Sequence, residues 1–302
     1  MNKINKINKI NKINNMNNMN DLNKINNINN INFCIEHGIN TSYIDSLLIA
    51  LFYKHSSIDT MLSIFPKQYY FVYFQELVNI IIENIRRDYS ISSDMINEIR
   101  NYCIMCGWKY NQNILELYNV SDFYEFIINN IGYGQIKYSI IDENNNIMEK
   151  NINNININLT LDDLETTNRD LLNNWIDENL LDKTNKSYHF EEIPTYICMN
   201  INRFENNRLT HRTKIDIMKA ISFNSNNDTN QKNIKWNIFS IICYSESNPH
   251  YYSLIYSNSK WYIFDSQNMP SMSEINLKQN YMSEKIKQEC VLLFYKLDEF
   301  NY

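Results

Sequence analysis

Glycine and proline, four of each in 302 residues, are too scarce to build the turns of a chain this long. Asparagine must fill those positions, because its short polar side chain tolerates left-handed backbone angles. Positive charge is not in excess either: 28 Lys and Arg against 34 Asp and Glu leave a formal net charge of −6. A general nucleic-acid binder needs cations to meet phosphates, so no nucleic-acid partner is expected. Long apolar runs are missing as well. Leu77-Val-Asn-Ile-Ile-Ile82 is short and interrupted, far below the roughly 20 residues that cross a bilayer, so no membrane partner is expected. The N-terminus lacks an apolar secretory core, which points to an intracellular, cytoplasmic chain. Six cysteines are present, and only Cys103 and Cys106 are closely spaced. Without a second pair or histidines at ligand spacing they read as reduced thiols, and no metal or cofactor is expected.

What is there is apolar and aromatic: 44% hydrophobic, with 22 Tyr and 14 Phe. That supports one large core or two modest ones. Residues 1–31 repeat Asn-Lys-Ile or Asn-Asn-Ile/Met with period three. On a helix such a stripe slips by roughly 60° per repeat. No stable face results, and a disordered low-complexity tail is expected. From 42 to about 131 the apolar spacing predicts helices at 42–54, 57–64, 70–87, 93–105 and 121–131, the last opened by Ser121-Asp122 and stopped by Gly132. A strand pair is expected over 133–160 around Asp142–Asn146, then a helix at about 167–180. Strands follow at 194–204, 213–223, 235–243, 250–256, 261–265 and 289–297. Helices first and strands later imply an α+β fold with a helical lobe against an antiparallel sheet.

Two places carry candidate chemistry. Ser42 precedes an apolar helical run with Asp45 three residues on, the reciprocal capping-box pattern, so it reads first as a helix cap. Downstream, His250–Tyr256 and Trp261–Asp265 read as a β-hairpin in which Tyr256 faces Trp261 and Tyr252 faces Asp265. His250 and Asp265 would then be diagonal neighbours with Cα atoms roughly 7–8 Å apart. A carboxylate there would fix the imidazole tautomer and stabilise its charged form. The same two residues could equally be an exposed His and a turn Asp.

Together these stretches resemble the ubiquitin-specific protease family. Asn40-Thr-Ser-Tyr-Ile-Asp-Ser-Leu-Leu48 is similar to its Gly-Asn-Thr-Cys-Tyr-x-Asn-Ser-x-Leu box, and Asp122-Phe-Tyr-Glu-Phe126 to its Asp-x-x-Glu-Phe box. Pro194–Phe204 resembles a strand ending in Lys-Arg-Phe, and Asn237–Cys243 the strand that leads into the histidine. Pro249-His-Tyr251 and Lys260–Asp265 resemble the Gly-His-Tyr and Lys-Trp-Tyr-x-Phe-Asp boxes, and Glu289–Tyr295 the closing strand. The resemblance implies a papain-like architecture: a helical thumb at about 33–132, shortened fingers at about 133–165 and an antiparallel β palm at about 166–298. Residues 32–302 would form one catalytic domain. It implies removal of ubiquitin or a ubiquitin-like modifier after its C-terminal Gly. Ser42 takes the nucleophile slot, His250 the general-base slot and Asp265 the orienting slot. Asp122 and Glu125 would receive an arginine of the modifier's tail, and Tyr251 would line the channel for its terminal glycines.

The chain departs from that pattern. Ser42 stands where the family has Cys, His37 where it has an oxyanion-hole Asn, and Pro249 where it has Gly. Paired Cys-x-x-Cys motifs for a zinc-bearing fingers module are absent. A thiol at a helix N-terminus beside an imidazole ionises readily, whereas a serine hydroxyl must lose its proton during attack. The sequence is therefore compatible with a weak serine hydrolase, with a catalytically inactive pseudo-protease that binds the modifier or scaffolds a complex, and with a substrate-trapping Cys-to-Ser change.

Overall fold

The computed structural model describes residues 34–298 apart from 88, 110–112, 114, 142–146, 155, 162–165, 168–169, 173–186, 191, 206–207, 224–233 and 278. The N-terminal repeat, the turn at Asp142–Asn146 and most of the helix expected at 167–180 lie outside the described residues.

The first lobe is helical. Helix α1 spans Ser42–Phe52, and all of its residues are buried. Its only charged residue is Asp45, so it is apolar on nearly every side, as a helix enclosed on all faces must be. A 3-10 turn at Ser57–Leu62 leads to α2 (Val72–Arg86), α3 (Ser93–Met105) and α4 (Val120–Ile131). Helix α2 is amphipathic and buries Phe74, Val78, Ile81, Ile82 and Ile85. Helix α4 ends at Gly132, whose φ of 78° gives the left-handed cap that Gly adopts without strain. Its start corrects the expected one. Asn119 caps the helix by accepting from the Ser121 amide at 2.9 Å, and Ser121 lies inside it.

The strands are β1 (Ile136–Ile141), β2 (Ile147–Asn154), β3 (Ile157–Thr160), β4 (Ser187–Phe190), β5 (Tyr196–Asn202), β6 (Ala220–Phe223), β7 (Ile234–Ser245), β8 (His250–Ser257), β9 (Lys260–Phe264), β10 (Met272–Ile275) and β11 (Cys290–Leu297). Helix α5 (Asn280–Glu289) precedes β11. Among the described residues the main sheet runs β10-β9-β8-β7-β11-β5-β3, with β6 also on β7. It is antiparallel except at one edge, where β3 pairs with β5 in parallel, so the palm sheet is mixed. A smaller sheet, β2-β1-β4, stands apart. The expected strand at 213–223 is split into a two-residue ladder at Ile215–Asp216 and β6. The α+β reading and its order of helices before sheet hold.

Register positions the site. Tyr256 pairs with Trp261 and Ser257 with Lys260 across a two-residue turn, Asn258-Ser259, both at positive φ. Asn258 and Asn40 (φ 50° and 53°) are the left-handed asparagines that a glycine-poor chain calls for. Strand β8 lies between β7 and β9 and packs one face on α1, where Tyr251 and Ile255 join the core of the helical lobe, while Tyr252 and Leu254 are buried in the second core.

Arg203 closes the palm from within. Its guanidinium is fully buried and donates to the carbonyls of Cys290 (2.7 Å), Thr213 (2.8 Å), Lys287 (2.9 Å) and His211 (3.2 Å). Carbonyl oxygens in place of a carboxylate tie β5, β11 and the end of α5 together.

Candidate active site

Chain folding brings the start of α1 against the start of β8, across 209 residues. Ser42 Oγ accepts the Tyr251 backbone N–H at 3.0 Å. This corrects the capping-box expectation for Ser42. The residue before the helix is Thr41, whose hydroxyl donates to Asp45 Oδ2 at 3.2 Å, and Ser42 is the first helical residue. Its hydroxyl points to the neighbouring strand and is 1% exposed.

His250, one residue before Tyr251, is also buried. Its Nε2 lies 3.2 Å from Asp265 Oδ2, and its Nδ1 lies 2.6 Å from the Asn248 carbonyl oxygen. Both partners only accept, so the ring that satisfies both carries a proton on each nitrogen. Burial opposes that charge, but the Asp265 bond, the Asn248 carbonyl and the carboxylate's field outweigh it and hold the imidazole above its ordinary 6.5. Asp265 responds in the opposite sense. Burial would raise it, yet His250 and the Gln267 amide, 2.9 Å from Oδ1, bring it below 3.8. Asn268 Nδ2 donates to Oδ2 at 2.9 Å. The carboxylate is held from three sides, which fixes the orientation of the ring.

A serine nucleophile needs a base with a free lone pair on the nitrogen that faces it. Here Nε2 belongs to Asp265, and Nδ1 is turned to the Asn248 carbonyl. The pair is oriented and charged, with its proton-accepting position closed by a main-chain oxygen.

Two further groups border the pair. His37, at the surface, places Nδ1 3.3 Å from Ser266 Oγ. Partial burial, then the charge on His250, lower its pKa, with Asp265 opposing. Asp45 is completely buried, and burial raises its carboxyl to about 7 despite the hydroxyls of Ser266 and Thr41, which lower it. The sequence marked Asp45 only as a cap partner and missed Ser266 and Asn248. The apolar surround of α1 was the available signal for Asp45; nothing local marks the other two.

The remaining candidates have partners of their own. Asp122 Oδ2 pairs with Lys109 Nζ at 3.0 Å. Glu125 Oε1 accepts from Asn156 Nδ2 at 2.9 Å. Tyr251 is 2% exposed and its ring is tilted against that of Tyr244 at 5.1 Å; burial above all, with the charge of Asp122 adding to it, raises its hydroxyl's pKa. The tyrosine ring is walled in. No cluster of three or more His, Cys, Asp or Glu among the described residues could hold a metal ion.

No family model matches the chain. Over 123 residues it is 27% identical to the probable ubiquitin carboxyl-terminal hydrolase 8 of Schizosaccharomyces pombe, a match covering 39% of this chain and 25% of that protein. The match thus spans a quarter of the curated relative's length. Solved structures align over far more. The SAGA Ubp8/Sgf11/Sus1/Sgf73 DUB module bound to ubiquitin aldehyde gives a TM-score of 0.57 at 17% identity, over 89% of this chain and 70% of that chain. The Ubp8-Sgf11-Sgf73-Sus1 SAGA DUB module gives 0.54 at 18%, over 88% and 67%. The chain has a divergent ubiquitin-specific protease fold. In that fold the helical lobe is the thumb and the eight-stranded sheet the palm, and Ser42, His250 and Asp265 stand along the seam between them. No helix among the described residues is long and apolar enough to cross a membrane.

Proposed function

We propose that this chain is a deubiquitinase-type isopeptidase domain that seats the C-terminal tail of ubiquitin or a ubiquitin-like modifier and cleaves after its terminal Gly. The observation that carries this reading is the junction at the seam: the Tyr251 amide on Ser42 Oγ at 3.0 Å, one residue from an imidazole tied to a partly buried carboxylate. In this reading Ser42 Oγ attacks the carbonyl carbon and His250 Nδ1 takes the hydroxyl proton. The C–N bond breaks as that proton passes to the leaving amine, and water then hydrolyses the ester. Asp265 holds the ring and offsets its charge. Nδ1 must first give up its own proton and leave the Asn248 carbonyl, and oxygen is a weaker nucleophile than a thiolate, so turnover through Ser42 is slow.

A second reading is favoured by a specific observation. Ser42 is 1% exposed and His250 Nδ1 is occupied, as suits a pseudo-protease that binds the modifier without cleaving it. Fluorogenic ubiquitin hydrolysis and ubiquitin binding, measured on this chain and on Ser42→Cys, separate the two. Hydrolysis that rises at least about a hundredfold in Ser42→Cys supports the isopeptidase. Binding without hydrolysis in both chains supports the pseudo-protease, and absence of binding removes both.

A further inference from the structure

Beside the seam lies a built cation subsite that is already filled. Lys109 follows α3 with φ 46°, a left-handed backbone angle that a non-glycine residue seldom adopts. From there its ammonium reaches Asp122 at 3.0 Å and stands 5.1 Å from the Trp108 ring centroid and 5.7 Å from that of Tyr118. The walls are rigid. Trp108 and Tyr118 are 4% and 2% exposed, and their rings meet edge-on at 5.8 Å. Trp108 also packs on Phe123 and Phe126 of α4. Tyr118 donates to the Asn113 carbonyl at 2.7 Å. The mouth is open, with the Asp122 side chain 44% exposed.

A carboxylate whose cationic partner stands beside two aromatic rings suits a planar guanidinium better than an ammonium. It can bond the carboxylate with a two-pronged fork while stacking on the rings, and it sheds water more easily. The tethered lysine binds by point charge alone, and a partly exposed ion pair of this kind is weak enough to be displaced.

We propose that Lys109 is an intramolecular occupant of the Asp122–Trp108–Tyr118 subsite, and that an arginine of the incoming tail must displace it to bind. The tail's identity rests on the function proposed above; the occupied cage does not. Lys109 thereby sets a threshold. A peptide with a guanidinium in register gains the subsite, and one with a neutral side chain there leaves Lys109 in place.

The test uses the full chain, Lys109→Gln and Lys109→Gln/Asp122→Asn. Butylguanidinium is titrated while the Trp108 indole N–H is followed by NMR. Lys109→Gln should bind it about fivefold or more tightly than the unmodified chain, the equivalent of losing one weak ion-pair competitor. The double variant should lose that gain. Equal affinity in the first two chains, or no saturable shift in either, overturns the proposal. A second arm compares a peptide ending in Arg-Gly-Gly with its citrulline counterpart. Lys109→Gln should widen the preference for arginine and leave citrulline binding unchanged. If the butylguanidinium arm succeeds and neither peptide binds, the lysine occupancy stands and the isopeptidase reading falls.

Discussion

Asp45 offers the sharpest energetic test of the seam. Its carboxyl is fully enclosed, with Oδ2 bonded by Thr41 and the Ser266 hydroxyl beside it. Burial moves its pKa from 3.8 to about 7. The folded-state value therefore lies above the unfolded one, and the sign follows. Below 3.8 the group is protonated in both states and has no effect. As pH rises the unfolded chain releases the proton first, so stability falls until the native carboxyl also ionises. At about 1.4 kcal/mol per pH unit, the interval from 3.8 to about 7 amounts to roughly 4 kcal/mol. Asp45→Asn keeps the shape and the acceptor for Thr41 and removes the titration. Urea denaturation of both chains from pH 4 to pH 8 reads the difference. The unmodified chain should lose about 2–4 kcal/mol relative to Asp45→Asn across that range, most of it between pH 5 and 7. The slope is the test, because any fixed cost of the new amide shifts the two curves without tilting them. Parallel curves would refute the burial argument for this carboxyl.

Two further outcomes follow from the geometry. The His250–Asp265 pair should stabilise the fold by about 1.5–3 kcal/mol, the range for a charged hydrogen bond. The imidazole's share is full below pH 6.5 and fades as pH rises through its raised folded value; the carboxylate's is full above pH 3.8 and fades as pH falls through its lowered one. The stability gap between the unmodified chain and Asp265→Asn should accordingly be widest near pH 5 and narrower at pH 9, and a gap independent of pH would contradict the pairing. Arg203→Ala strands four carbonyls, that of Cys290 buried and the other three partly so, and should cost about 3 kcal/mol or more in thermal or chemical denaturation, with Arg203→Lys recovering part. A loss under 1 kcal/mol would show that Arg203 does not pin the palm.

Legibility in the sequence tracked how local each signal was. The hairpin register could be read because Tyr256 and Trp261 flank a four-residue polar stretch rich in turn formers, and strand pairing then carries the His250 and Asp265 side chains together. Gly132 marked the end of α4 because a left-handed cap favours a residue without a Cβ. The caps of α1 and α4 were read one and two residues off. Several Ser, Thr and Asn stand in succession before α1 and α4, and which of them caps is settled by tertiary contacts: the Tyr251 amide draws Ser42 away from the cap. Helix α5 was missed because its sequence, Asn280–Glu289, is mostly polar and among its residues Ile286 is buried. Strand β10 was missed because Met272–Ile275 is short and its burial alternates only weakly. The role of Arg203 depends on carbonyls up to 87 residues away, and Lys109 depends on a turn that meets α4 only in the folded chain. Sequence spacing cannot display either.

The central claim is that the seam between thumb and palm presents residue 42 to the carbonyl of a modifier's C-terminal glycine. Ser42→Cys, incubated with ubiquitin bearing a C-terminal electrophile and mapped by mass spectrometry, tests it most directly. One ubiquitin should attach at residue 42, and the reaction should slow by at least about a hundredfold when His250→Ala is added. Attachment at Cys34 or Cys106 instead, or none at residue 42, would contradict it.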